Sequence, residues 1–130
     1  MVLSGTAKHI PYCCLLGLVL AVSAGCATGV GDPCTPEVIP DDGFKNSEAY
    51  IETSSVQCQT RVCGVFKYQG DPRHDDPRQV EKKIYCTCRC EAPDPRFGTC
   101  DCPDGFECQE VLDLGGPGIR GSYCVRSGEW

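Results

Sequence analysis

Cysteine is the side chain best able to do chemistry here, and thirteen of the 130 residues are cysteines. Three chemistries suit a thiol at this density: pairing into disulfides, holding a soft metal as thiolate, and carrying a lipid. Position separates them. Cys13 and Cys14 lie inside an apolar run, and Cys26 closes it. The other ten follow: Cys34, Cys58, Cys63, Cys86, Cys88, Cys90, Cys100, Cys102, Cys108 and Cys124. An even set fits complete pairing in an oxidising compartment. The Cys-x-Cys steps between Cys86 and Cys102 also suit soft-metal thiolate sites. Structural zinc sites, however, usually separate their cysteines by two to four residues. Disulfides are therefore expected, with no metal and no cofactor. The chain has no Cys-x-x-Cys pair, which argues against a thiol-exchange catalyst.

Two smaller groupings could act. His74 stands beside Asp71, Asp75 and Asp76, a set that could hold a divalent ion or move a proton. Its setting, Gly70 to Pro77, is short, polar and proline-bounded, so a solvated surface loop is the expectation. Arg61 lies in Gln59-Thr60-Arg61-Val62, between Cys58 and Cys63. Held rigidly, that loop could present Arg61 to a trypsin-like pocket, which makes a protease inhibitor an alternative. No Ser/His/Asp motif, phosphate-cradling glycine loop or paired-carboxylate pattern stands out, and the protein is not expected to be an enzyme.

The elements that position these residues begin with an export segment. Lys8 is the one strong base of the first nine residues, Ile10 to Val22 is almost wholly apolar, and Ser23-Ala24-Gly25 is a patch of small residues. A charged start, a short apolar middle and a small-residue cut site make a secretory signal over residues 1–25. A spanning helix needs about 20 apolar residues, and this run is shorter.

Ala24-Gly25-Cys26 resembles the lipobox of bacterial lipoproteins, with Ser23 where leucine is commonest. The resemblance implies cleavage before Cys26 and lipid on its sulfur and amino group, hence a membrane partner through that anchor. Parity points the same way. Ordinary cleavage after Ala24, which stays open, would leave Cys26 as an eleventh, odd cysteine. Ala27 lacks the aspartate that retains such proteins in some inner membranes, so the resemblance implies an outer-membrane destination. A periplasmic or secreted protein is the alternative.

Beyond the signal, 11 bases face 18 acids, about −7 in all, which argues against nucleic acid as a partner. Residues 26–43, with Pro33, Pro36, Pro40 and Asp41-Asp42, read as the lipidated cysteine and a flexible tether. Residues 44–130 read as one small, disulfide-rich, mostly β domain: short antiparallel strands and hairpins, long loops and no substantial helix.

Strands are expected at Tyr50–Cys58 and Arg61–Tyr68, forming a hairpin, then at Lys83–Cys90, Phe106–Leu112 and Gly121–Val125. Strand alternation puts Ile84, Cys86, Cys88 and Cys90 on one face, where neighbours cannot pair with each other. Each should staple a different segment to this strand, which would be the hub. Asp113–Gly121, with Gly-Gly-Pro-Gly, should be a mobile loop.

Cys100-Asp101-Cys102-Pro103-Asp104-Gly105-Phe106 resembles the end of epidermal-growth-factor-like modules, and also the tail of trypsin-inhibitor-like cysteine-rich domains. Taken together, these features suggest a non-catalytic envelope lipoprotein that binds a protein or glycan or serves structurally. Its contact loops would be Gly70–Arg78 and Asp113–Gly121. Inhibition of proteases and soft-metal binding are the alternatives.

Overall fold

Six short strands and one helix, cross-linked by five disulfides, make up the computed structural model, which describes residues 29–112 and 115–130. The strands are β1 (Ala49–Glu52), β2 (Val62–Phe66), β3 (Ile84–Thr87), β4 (Arg89–Glu91), β5 (Phe106–Leu112) and β6 (Gly121–Arg126), and helix α1 spans Pro77–Lys83. They form two antiparallel sheets, ordered β1-β2-β3 and β4-β6-β5. The fold is thus small, disulfide-rich and mostly β, as the sequence suggests.

The expected hairpin is β1–β2, with Tyr50 opposite Val65 and Glu52 opposite Cys63. Its first strand is shorter than expected. The chain leaves the sheet at Glu52, and Ser55 N–H instead bonds the Arg61 carbonyl at 3.0 Å. The expected strand Lys83–Cys90 is two strands. Cys88 is the break: β3 stays in the first sheet and β4 belongs to the second. Thr87 Oγ1–H bonds the Cys124 carbonyl at 2.6 Å, and Cys124 N–H bonds the Cys88 carbonyl at 3.0 Å. The chain therefore changes sheets at this point, and one alternating face does not persist from Ile84 to Cys90.

Helix α1, seven residues long, is the little helix that the domain contains, in keeping with the expectation of no substantial helix. Asp76 accepts from Arg78 N–H at 3.0 Å as its N-cap, Pro77 occupies the first helical position, and Lys82 and Lys83 fill the last turn. Proline there pre-sets the first turn, and the lysines suit the negative end of the helix dipole. Seven residues are too few for a stable helix in isolation. Val80 supplies the missing contact by packing against the core. The proline-bounded loop before it is also partly helical, with a 3₁₀ turn at Pro72–His74 capped by Asp71.

The supposed tether is part of the domain from Gly29 onward. Gly31 N–H bonds the Cys86 carbonyl at 2.8 Å and Cys86 N–H bonds the Asp32 carbonyl at 2.7 Å, so this segment covers the outer edge of β3. Farther along, Phe44 is buried and exchanges two backbone hydrogen bonds with Gly70. A Pro- and Gly-rich composition conceals this because the partners are backbone groups far away in sequence. Cys26, Cys13 and Cys14 lie outside the described residues.

The core is built on both faces of the first sheet. One face holds Cys63, Val65, Ile84 and Cys86 with Phe44 and Tyr68. The other presents Phe66 and Tyr85 to Val125 of the second sheet. The Phe66 and Tyr85 rings stack at 4.8 Å, and Trp130 meets Phe66 edge-on at 6.2 Å. Arg126 completes the seam: its guanidinium carbon sits 4.8 Å from the Tyr85 ring and 5.2 Å from that of Phe106, and Nη2 bonds the Gly31 carbonyl at 3.0 Å. Among the described residues, six of the fourteen buried apolar side chains are cysteines, so the bridges serve as core where Leu and Ile are scarce.

Gly64 of β2 lies beneath the Phe66 ring, and a Cβ there would fall inside it, close to Thr87 as well. Gly64→Ala is therefore expected to lower the unfolding free energy by about 1–3 kcal/mol, as overpacking does. Denaturant unfolding of the oxidised protein measures this, and parental stability would show that the ring has room to swing aside.

Candidate functional site

The ten cysteines pair as Cys34–Cys63, Cys58–Cys86, Cys88–Cys100, Cys90–Cys108 and Cys102–Cys124. Cys86, Cys88 and Cys90 each hold a different segment, as expected, although the strand that was to carry all three is broken at Cys88. The bridges also divide into two sets. Two lie wholly within residues 34–86 and three within residues 88–124, with Thr87 between them and no bridge joining the sets.

Within each set the sulfurs crowd together. Those of Cys34, Cys58 and Cys86 lie within 4.8 Å of one another, as do those of Cys88, Cys100 and Cys124, and of Cys90, Cys102 and Cys124. This is the convergence that a soft-metal site would need. Every one of these sulfurs is bonded to another, however, and metal binding requires the thiolate.

The His74 group is brought together but is used up locally. Asp71 accepts from Arg73 N–H and from its guanidinium, and His74 Nε2 lies 3.8 Å from it. Asp75 accepts from the Tyr68 hydroxyl at 2.8 Å, and Asp76 caps α1. The three carboxylates thus serve three separate purposes. Hydrogen bonds from Arg73 hold the Asp71 carboxyl down to about 2. Burial, helped by the bond to Asp75, pushes the Tyr68 hydroxyl up to about 12.

A signal that sequence reasoning missed runs through this region. Asp-Pro-Arg occurs three times, at Asp71–Arg73, Asp76–Arg78 and Asp94–Arg96. In each copy the aspartate accepts the arginine's backbone N–H, at 2.9, 3.0 and 2.9 Å, and pairs with the same arginine's guanidinium. Proline fixes φ between the two, so the turn and the ion pair form together. The arginines are largely exposed, which makes these pairs local organisers of turns more than sources of stability.

Arg89 does comparable work for the second candidate loop. Its Nη1 donates to the carbonyls of Pro117, Gly118 and Arg120 at 3.2, 3.1 and 3.3 Å, while Phe97 lies against the guanidinium at 4.9 Å. Tyr123 O–H bonds the Ile119 carbonyl at 2.6 Å. Residues 115–120 are therefore a clamped turn, not the free loop that Gly-Gly-Pro-Gly suggests; Asp113 and Leu114 lie outside the described residues. Beside β4, and lined also by β5 and the start of β6, runs a groove of about 730 Å³ that carries Glu91, Glu110 and Arg120.

Arg61 is exposed but sits at φ +64°. Its N–H bonds the Cys58 carbonyl at 2.9 Å and its carbonyl is taken by Ser55. Peptides that enter clefts by strand-like pairing do so extended, with free backbone groups. The left-handed turn at Arg61 offers neither. On another face, Pro36, Val38, Pro40 and Tyr50 line an apolar groove of about 290 Å³, with Val38 78% exposed.

No protein-family model, curated protein or solved structure matches the chain.

Two expectations follow from these contacts. Because the folded hydroxyl of Tyr68 titrates above the ordinary value near 10, its contribution is complete below pH ~10 and is lost as pH rises toward ~12. Ultraviolet titration of tyrosinate should therefore show late-titrating tyrosines whose number falls by one in Tyr68→Phe; an unchanged late amplitude would contradict the burial of this group. Arg89→Ala should speed amide hydrogen exchange over residues 115–121 while leaving β1–β3 protected, and uniform protection in the variant would rule out the clamp.

Proposed function

We propose that this chain is a lipid-anchored protein of the bacterial cell envelope, bound for the outer membrane, with a non-catalytic role in binding a protein or glycan or in supporting the envelope. The observation that carries the reading is the closure of the disulfide set: the ten downstream cysteines satisfy one another in five bridges. None is left to pair with Cys26, which follows an export-type segment in a lipobox-like setting. Acylation gives that sulfur a use that pairing within the domain does not. Two or more acyl chains hold a protein stably on a bilayer, where one does not.

The rest of the molecule suits display. Cystine cores tolerate an oxidising exterior, and the excess of acid keeps the domain soluble. The turns at residues 70–78 and 115–121 are held by Asp–Arg pairs and by Arg89, and they are the surfaces through which a partner would be met. Loops on a rigid frame commonly carry recognition.

The test is expression of the full chain in a bacterial host with labelled palmitate. The parent should incorporate label and fractionate with outer membranes, whereas Cys26→Ser should lose both and appear in the soluble fraction. Unlabelled parental protein, or label retained by Cys26→Ser, would refute the proposal.

A further inference from the structure

Among the ten bridged cysteines, Cys108 alone is exposed to solvent; its partner Cys90 is half-buried, as are Cys100 and Cys102. Both bridges of the first set are buried at both ends. Cys90 belongs to β4 and Cys108 to β5, so this bridge ties together the two outer strands of the second sheet. Behind it the sulfurs continue inward. Cys90 lies within 4.8 Å of the Cys102 and Cys124 sulfurs, and Cys124 lies 3.7 Å from Cys88 and 3.8 Å from Cys100.

We propose that the Cys90–Cys108 bridge is a site of thiol–disulfide exchange with small external thiols, and that its opening propagates through the two neighbouring bridges. A thiolate attacks Sγ of Cys108, the bond to Cys90 breaks, and Cys90 departs as thiolate while Cys108 holds the mixed disulfide. No electrons are gained or lost overall. The Cys90 thiolate then attacks the adjacent Cys102–Cys124 bridge, forming a new bond to one sulfur and releasing the other as thiolate. Released Cys124 stands beside both sulfurs of Cys88–Cys100 and repeats the step. Exchange needs an accessible sulfur at the start and a thiolate near each following bridge; this row offers the one exposed cysteine of the ten at its outer end and sulfurs within reach of one another behind it. The first set has no exposed cysteine, and no bridge connects it to the second.

The site is therefore a modification point that takes monothiols of the glutathione class, and it converts the second sheet from a fixed bridge pattern to exchanging isomers. It does not depend on the lipid anchor, and its test is independent of Cys26.

The experiment treats the folded, oxidised protein briefly with limiting glutathione, quenches with an alkylating reagent and maps adducts by peptide mass spectrometry. Glutathione should be found on Cys108, and alkylated thiols on Cys90 and also on Cys102, Cys124, Cys88 or Cys100. Residues Cys34, Cys58, Cys63 and Cys86 should remain bridged. The idea fails if glutathione sits elsewhere, if alkylation stops at Cys90, or if the first set opens as fast. The double variant Cys90→Ser with Cys108→Ser should slow opening of the remaining second-set bridges by roughly tenfold, since the accessible sulfur is gone. An unchanged rate would overturn the proposal, and if that variant does not fold, the map on the parent protein decides.

Discussion

Cysteines two positions apart on extended backbone are poorly placed to bond one another, and the rest of this structure depends on that constraint at Cys86-Thr87-Cys88-Arg89-Cys90. Each sulfur must find a partner from elsewhere, so Cys58, Cys100 and Cys108 are drawn to one short stretch. The same stretch carries the chain from one sheet to the other. Thr87, fully buried, ties its hydroxyl to the Cys124 carbonyl at the crossing. A polar side chain without a partner in that position would cost more than the bond itself returns, so the crossover is fixed in one geometry.

What covalent bonds do not do, the aromatic seam does. The two bridge sets share no disulfide, and Phe66, Tyr85, Phe106, Val125 and Arg126 join them. Arg126 is suited to this place because a guanidinium lies flat against rings and still has edges for hydrogen bonding. It lies against Tyr85 and Phe106 and reaches the Gly31 carbonyl, linking the N-terminal segment, β3, β5 and β6 through one side chain. Tyr85 O–H receives no comparable freedom: it accepts Arg126 N–H at 2.9 Å, and burial raises its pKa.

Much of this was legible in the sequence. Cysteine parity and strand alternation identify the disulfide class, the mostly β fold and the three-way stapling at Cys86, Cys88 and Cys90, because those depend on local geometry. The sequence is less informative where long-range backbone pairing or local capping overrides composition. Gly31 and Asp32 look like tether until their partner Cys86 is known. The helix Pro77–Lys83 has its signals in plain view (Asp76, Pro77 and two terminal lysines), but a loop reading up to Pro77 and a strand reading after it leave no room for a helix. The repeated Asp-Pro-Arg was also visible, and its recurrence is the pattern that would have identified the turns. The clamp at Arg89 had no such signal, since its acceptors are backbone carbonyls some thirty positions away.

The break in the bridge pattern at Thr87 bears on how the native pairing is reached. Ten cysteines choosing freely have roughly nine hundred ways to pair, whereas four have three and six have fifteen. A chain delivered amino end first exposes Cys34, Cys58, Cys63 and Cys86 before any later cysteine arrives. The first group can settle among its own few options, and the second then faces its fifteen. Sequential emergence thus reduces the combinatorial search by more than an order of magnitude, an economy that a single bridge spanning Thr87 would have removed.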